Sequence, residues 1–190
     1  MTLPTVSLPA LLRRLAGWLA ALLGIALLAA WAWQQPFMAA PRMFWTLGRL
    51  PPPSHLPVPV QGVAAGRIAD TYGAPRSGGR KHEGVDIFAP RGTPVVSATP
   101  GIVVSVRESG LGGRQVWVLG PARQRHYYAH LQDWAEGITA GTVVHTGQPL
   151  GTVGDSGNAR GTPPHLHYGI YGSGGAYDPL PLLQANPLNP

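Results

Sequence analysis

The sequence lacks cysteine altogether and lacks acidic residues in its first third. Without cysteine, a disulfide-linked scaffold and a lipidated N-terminal cysteine are excluded. All eight acidic residues lie after residue 60 with ten of the fourteen basic residues, so this part carries a net charge of only +2. The high isoelectric point therefore reflects four arginines near the N-terminus. No basic stripe with interleaved aromatic residues is present, so we expect no nucleic-acid partner.

Charge and proline are both absent from residues 15–33. A helix of this length spans about 28 Å, close to the ~30 Å hydrocarbon core of a bilayer. Arg13 and Arg14 precede it, so the positive-inside rule predicts that residues 1–14 are cytoplasmic. We expect a single-pass transmembrane anchor in the cytoplasmic membrane, with the folded domain on the periplasmic or extracytoplasmic side. A cleavable signal peptide is the alternative, although its apolar region usually has only about 7–15 residues.

Prolines are concentrated in residues 34–60, which contain seven of the 21. The stretch PPPSHLPVP predicts an extended, polyproline-like spacer that could reach about 80 Å at ~3.1 Å per residue. Residues 43–45 could instead lie at the bilayer surface or pack on the domain. We expect residues 34–60 to link the anchor to a folded domain over residues 61–190.

Short segments rich in β-branched or aromatic residues, bounded by glycine turns, recur in this C-terminal part. Residues 102–108, 114–120 and 125–131 are predicted strands, and residues 142–153 are predicted to form two more. No window sustains a helical apolar period over three turns. These patterns predict one all-β domain, built as a sandwich or a partly open barrel.

Two short motifs, HEGVD and PHLH, concentrate side chains that bind metals. On a strand, His165 and His167 would share one face while Leu166 points into the core. His82 and Asp86 add an imidazole and a carboxylate from a turn that runs into another strand. Two histidines and a carboxylate are what a catalytic zinc takes when water holds its fourth position. The sequence thus predicts a metal site made by His82, Asp86 and one of His165 and His167.

Other interpretations of these residues are less favourable. A non-haem iron oxygenase also uses two histidines and a carboxylate, but the HxxxD spacing, the second histidine and the exported topology argue against it. The loop Gly154–Gly157 looks like the nucleophile loop of serine proteases, yet a triad needs separately placed His and Asp residues. Glu83 could act as a base by analogy with HExxH helices, but Gly84 disfavours that helix.

The succession HEGVD, GTPV, GIV, YYAHL, VHTGQPLGTVG and GTPPHLHYGI resembles the LytM/lysostaphin-type zinc metallopeptidases, which cut peptide bonds in bacterial peptidoglycan. The resemblance covers roughly residues 60–182. It implies a single lysostaphin-like domain, with an antiparallel sheet forming a groove over the metal. The leader and the proline-rich segment lie outside the family pattern.

By position, the resemblance implies that His82, Asp86 and His167 hold one Zn²⁺ per domain and that His130 and His165 are the catalytic, non-ligand histidines. We expect a zinc metalloendopeptidase that hydrolyses peptidoglycan stem peptides with a metal-activated water. His165 is the expected acid/base, and His130 is expected to bind the oxyanion or orient the water, although these roles could be exchanged. Tyr72 and Tyr128 could line the groove, although the sequence favours a core or rim position for each.

The family that this chain resembles also includes non-enzymatic members, which lack ligands and activate cell-wall amidases. The alternative function is therefore a catalytically silent cell-wall-binding or amidase-activating module of the same fold, although this chain retains all five residues. The membrane anchor slightly favours a D,D-endopeptidase over an enzyme that cuts glycyl-glycine bonds. The sequence does not reveal which protein partner regulates the chain.

Overall fold

The computed structural model describes residues 7–185. The chain divides into two compact units, Met1–Arg42 and Met43–Pro190. Residues 1–6 of the expected cytoplasmic segment and residues 186–190 of the expected domain lie outside the described residues.

The first unit contains a 27-residue helix, α1 (Leu8–Gln34), which is longer than the predicted span of residues 15–33. Its first turn includes Pro9, which is tolerated there because the amide of a first-turn residue has no partner within the helix. None of its side chains is buried, and it is long and apolar enough to cross a membrane, as a signal sequence would also be. Arg13 and Arg14 therefore lie within the helix rather than before it.

The expected linker, residues 34–60, contains helical structure in its first half. Helix α2 (Ala39–Leu47) follows a short 3₁₀ turn. The side chains of Leu47, Leu56 and Val60 are almost completely buried. Burying a large aliphatic side chain stabilises the folded state by roughly 1.5–3 kcal/mol. Residues 48–55, by contrast, lie in no helix or strand and are mostly exposed, and the linker over residues 34–60 stays a prediction.

The second unit is built mainly from strands. In chain order they are β1 (Val85–Phe88), β2 (Pro94–Val96), β3 (Gly101–Ser109), β4 (Gly113–Leu119), β5 (Arg125–Ala129), β6 (Leu131–Trp134), β7 (Val143–Val144), β8 (Pro149–Val153), β9 (His165–Gly172) and β10 (Gly175–Tyr177), followed by the short helix α3 (Leu180–Gln184). The larger sheet has the order β1-β9-β5-β4-β3-β7, with β10 also beside β9. The smaller sheet has the order β2-β8-β6. All strand pairs are antiparallel, which confirms the expected all-β fold.

Strand β9 shows how the sequence pattern positions the site. Leu166, Tyr168 and Ile170 alternate along it and are completely buried. They join a core to which both sheets contribute. Because side chains alternate across a strand, His165 and His167 lie on the opposite face. The prediction that HLHYGI is a strand with both imidazoles on one side is confirmed.

Candidate metal centre

The pairing of β1 with β9 brings the two sequence motifs together. Asp86 is the direct cross-strand partner of His167 in this antiparallel register. The turn before β1 lies so close to β9 that a Cβ atom on Gly84 would be 2.5 Å from the carbonyl oxygen of Tyr168 and 2.8 Å from the His167 ring. Only glycine therefore allows this turn to place His82 beside the same strand.

Three side-chain atoms converge at this point. His82 Nε2 lies 2.8 Å from His167 Nδ1 and 3.0 Å from Asp86 Oδ1, and His167 Nδ1 lies 3.2 Å from Asp86 Oδ1. Ligand atoms of a tetrahedral zinc site are roughly 3.3 Å apart when each bond is about 2.0 Å long. The residue types and their spacing fit a metal ion, so His82, Asp86 and His167 could hold one.

Two residues that the sequence did not indicate orient this cluster. Thr71 accepts hydrogen bonds from His82 Nδ1–H through its carbonyl oxygen (2.7 Å) and from the backbone N–H of Asp86 through its hydroxyl (3.1 Å). The first bond places the proton of His82 on Nδ1 and leaves the lone pair of Nε2 toward the cluster. Arg76 Nη2 donates to Asp86 Oδ2 at 2.7 Å, which leaves Oδ1 for the two imidazoles. Such outer contacts fix the orientation of metal ligands.

The electrostatics of Asp86 suit a ligand. Burial by itself would raise the pKa of its carboxyl group, but hydrogen bonds and charge interactions with His167 and His82 outweigh burial. The net effect holds the pKa of Asp86 well below its usual range. The carboxylate is therefore ionised at neutral pH without any metal.

Two further histidines border the cluster. His165 donates from Nδ1–H to the carbonyl oxygen of Pro163 at 2.8 Å, and its Nε2 is 3.9 Å from Asp86 Oδ1. His130 donates from Nδ1–H to the carbonyl oxygen of Ser156 at 2.8 Å. The centroids of the two rings are 5.1 Å apart. In their neutral forms, both histidines therefore present an unprotonated Nε2, which can accept a hydrogen bond.

His130 reaches the site by a break in its strand, not by continuing it. The sequence predicts one strand over residues 125–131, in which alternation would place His126, Tyr128 and His130 on one face. In the structure β5 ends at Ala129, and His130 has φ = 62°. His126 and Tyr128 are buried in the core, whereas this left-handed conformation allows His130 to line the groove. Burial first, and then the charge of His167, lower the pKa of His130 to about 4.

The loop that resembled a serine-protease motif supports His130. Asp155 forms an ion pair with Arg91 at 2.7 Å. The hydroxyl of Ser156 accepts a hydrogen bond from the backbone N–H of Arg114 at 2.9 Å, while its carbonyl accepts from His130. These contacts agree with the expectation that Gly154–Gly157 is not a nucleophile loop.

The cluster lies in a groove of about 850 Å³. Its floor includes Trp117, Tyr127 and Tyr171, whose rings pack together with centroids 4.2 to 6.4 Å apart. These three aromatic residues are not predicted from the sequence, which offered Tyr72 and Tyr128 instead. Strand alternation could have indicated Tyr127, because its neighbour on the strand, Tyr128, is a core residue.

The two tyrosines considered from the sequence have structural roles. Tyr128 is completely buried, and its hydroxyl accepts a hydrogen bond from the backbone of Ala98. Tyr72 donates a hydrogen bond to the carbonyl of Ala176 at 2.9 Å. Neither lies among the residues that line the groove, which agrees with the core or rim position favoured for each. Glu83 does line the groove, beside Tyr171.

Comparison with known protein families gives one match over more than half of the chain. Residues 80–179 match the model of peptidase family M23. This range includes all five residues of the predicted site, namely His82, Asp86, His130, His165 and His167.

Individual proteins show sequence similarity to the same part of the chain. The chain is 42% identical over 126 residues to the L-Ala–D-Glu endopeptidase of Bacillus subtilis, a match that covers 60% of this chain and 39% of the relative. It is 35% identical over 89 residues to the peptidoglycan DD-endopeptidase ShyC of Vibrio cholerae, covering 47% of this chain and 20% of the relative. The chain thus spans well under half the length of these curated relatives.

The fold is similar to that of a solved catalytic domain. The catalytic domain of lysostaphin from Staphylococcus simulans superposes with a TM-score of 0.56 at 31% sequence identity. The match covers 63% of this chain and 92% of that domain. The second unit therefore has a lysostaphin-like fold, as expected from the sequence.

Proposed function

Because this chain belongs to peptidase family M23, we propose that it is a zinc metalloendopeptidase that hydrolyses peptide bonds of bacterial peptidoglycan. The observation that carries the proposal is the convergence of His82 Nε2, Asp86 Oδ1 and His167 Nδ1 within 3.2 Å of one another inside a groove. The relatives named as peptidoglycan endopeptidases support the choice of substrate.

In this proposal His82, Asp86 and His167 hold the zinc ion. When bound, zinc polarises a carbonyl group and lowers the pKa of a coordinated water to about 7. Thr71 and Arg76 keep the ligand atoms aimed at the ion through the hydrogen bonds already described. No ligand atom then has to reorient when substrate arrives, which preserves the catalytic geometry.

His165 and His130 have different proposed roles. His165 accepts the proton of the attacking water at Nε2 and later returns it to the leaving amine, a contribution typically worth 10²–10⁴-fold in rate. The lowered pKa of His130, about 4, makes it a poor proton carrier. Its neutral Nε2 is suited to accept a hydrogen bond and so to orient the water. It could bind an oxyanion only after protonation.

The placement of the enzyme is also a proposal. Helix α1 would anchor the chain in the bacterial cytoplasmic membrane, with the domain on the extracytoplasmic side where peptidoglycan lies. The proposed domain boundaries are residues 1–14 for the cytoplasmic segment, 15–33 for the transmembrane anchor, 34–60 for the linker and 61–190 for the peptidase domain. Within the linker, the side chains of Leu47, Leu56 and Val60 are buried.

The test is release of dye from labelled sacculi by the full chain in detergent with zinc. We expect His167→Ala to lose both bound zinc and dye release, whereas His165→Ala should retain zinc and lose at least about 100-fold in rate. The exposed His145 provides the matched control, because His145→Ala should change neither quantity. Zinc binding without any dye release by the unaltered chain would instead indicate a silent wall-binding module.

A further inference from the structure

Cationic side chains dominate the charged residues of the groove. They are Arg76, Arg80, Lys81 and Arg107. Three come from the turn that precedes His82, which is closed by a bridge between Pro75 and Lys81. Arg107 comes from β3, which the strand order places far from β1 in the same sheet. Positive charge is thus supplied to the groove by two separate parts of the chain.

These cationic side chains differ in the ion pairs and hydrogen bonds that they form within the protein. Arg76 forms an ion pair with Asp86, and Arg80 donates to Ser77 in its own turn. Lys81 and Arg107 form no ion pair within residues 7–185, and both are exposed. Their charges are therefore available to a molecule in the groove.

Acidic residues do not cancel this charge. Among residues 7–185, two carboxylates line the groove, those of Glu83 and Asp86. Asp86 is already shared among Arg76, His82 and His167, and Glu83 is next to the hydroxyl of Tyr171. A cleft lined by an excess of one sign concentrates ligands of the opposite sign. An uncharged peptide such as a glycine chain would gain nothing from this field.

We propose that the groove selects peptides with a free carboxylate beside the scissile bond and that the positive charges of Lys81 and Arg107, supplied from two separate parts of the groove, attract this carboxylate. This inference rests on the proposed peptidase function and adds its substrate class. The reaction is hydrolysis, in which the amide C–N bond breaks, water supplies the oxygen of a new carboxylate and the amine leaves protonated. The selected carboxylate is a separate group that takes no part in bond breaking.

The experiment compares two short peptides with L-alanine linked to D-glutamate, one with the free α-carboxylate and the other with a carboxamide. The full chain in detergent with zinc should cleave the carboxylate peptide with the higher kcat/KM. An exposed ion pair contributes about 0.2–1 kcal/mol, or roughly 1.4–5-fold. Lys81→Gln and Arg107→Gln should each lower the carboxylate preference by up to about 5-fold, and the double variant by more. Arg107→Lys should retain most of it.

Controls separate this selectivity from a general charge effect. Arg67→Gln removes one positive charge outside the groove and should leave the preference unchanged. Raising the salt concentration should reduce the preference, because exposed charges are screened. Binding of both peptides to His165→Ala chain is measured as well, so that selectivity is tested even without turnover.

The outcomes distinguish the two proposals. Equal kcat/KM values and equal binding of the two peptides, or a preference that survives the double variant, would overturn the carboxylate site while leaving the peptidase function intact. Failure to cleave either peptide or labelled sacculi would count against the peptidase function. The ratio of the affinities for the carboxylate and carboxamide peptides would then still decide whether Lys81 and Arg107 recognise a carboxylate.

Discussion

Asp86 and His167 are 81 residues apart in sequence and directly opposite each other in the pairing of β1 with β9, with 3.2 Å between Oδ1 and Nδ1. Backbone hydrogen bonding between two strands therefore sets the spacing of a carboxylate and an imidazole. A site positioned by a sheet ladder is more rigid than one carried by loops. Only His82 is contributed from outside a strand, and Gly84 and Thr71 hold it in place.

The contact between Arg76 and Asp86 should affect metal binding. Arg76→Ala removes the donor to Oδ2 and frees the carboxylate to rotate, so zinc affinity should fall about 10–100-fold. Competition with a chromogenic chelator measures this directly. Arg80→Ala removes the same charge from the same turn but no contact to Asp86, and its zinc affinity should be unchanged. Equal affinities for Arg76→Ala and the unaltered chain would refute the orienting role.

Gly84 should be intolerant of a side chain. A Cβ atom there would lie 2.5 Å from a backbone carbonyl oxygen, so Gly84→Ala forces the turn away from β9. We expect a loss of about 1–3 kcal/mol in the free energy of unfolding and weaker zinc binding. Pulse proteolysis in urea measures the first quantity. Gly66→Ala is the matched control, because a Cβ atom on Gly66 meets no atom within 4 Å.

Buried His126 should make the domain less stable in acid. Burial lowers its pKa to about 4, whereas the unfolded chain has the ordinary value near 6.5. Between these values the unfolded state binds more protons than the folded state. The contribution of His126 to the free energy of unfolding is therefore fully present above about pH 6.5 and is lost as the pH drops toward 4. The free energy of unfolding should fall by an amount on the order of 3 kcal/mol.

Unfolding free energies at pH 7 and pH 4.5, measured with a chelator present, test this expectation. His126→Gln should show a smaller difference between the two pH values than the unaltered chain. His145→Gln alters an exposed turn residue and should leave the difference as it is. An identical pH dependence in all three chains would contradict the role of His126.

Zinc should stabilise the folded chain by mass action. A ligand that binds only the folded state at 100 times its Kd adds about 2.7 kcal/mol to the free energy of unfolding. We expect this increment for the unaltered chain and its loss in Asp86→Ala. Thermal unfolding followed by circular dichroism, with zinc or with chelator, provides the measurement. An equal shift in Asp86→Ala would place the ion elsewhere.

Several features of the fold could be predicted because they depend on local periodicity. Alternation of Leu166, Tyr168 and Ile170 with the histidines identified β9, and glycine-bounded segments identified β3 and β4. Proline content was a weaker guide. It did not indicate that Leu47, Leu56 and Val60 are buried, because the choice between solvation and packing depends on the surface that the rest of the chain provides.

The sequence therefore predicts features that a few neighbouring residues of one strand or one helix determine. These are the apolar helix, the β-rich domain and the two imidazoles on one face of β9. The partners of those residues were decided by the tertiary structure. It alone places Asp86 opposite His167, Thr71 behind His82 and Arg76 on the second carboxylate oxygen, and it alone turns His130 toward the groove through a left-handed backbone. The physical reason is that such contacts join segments remote in the chain, and strand register and close backbone packing select them only once the sheets have formed.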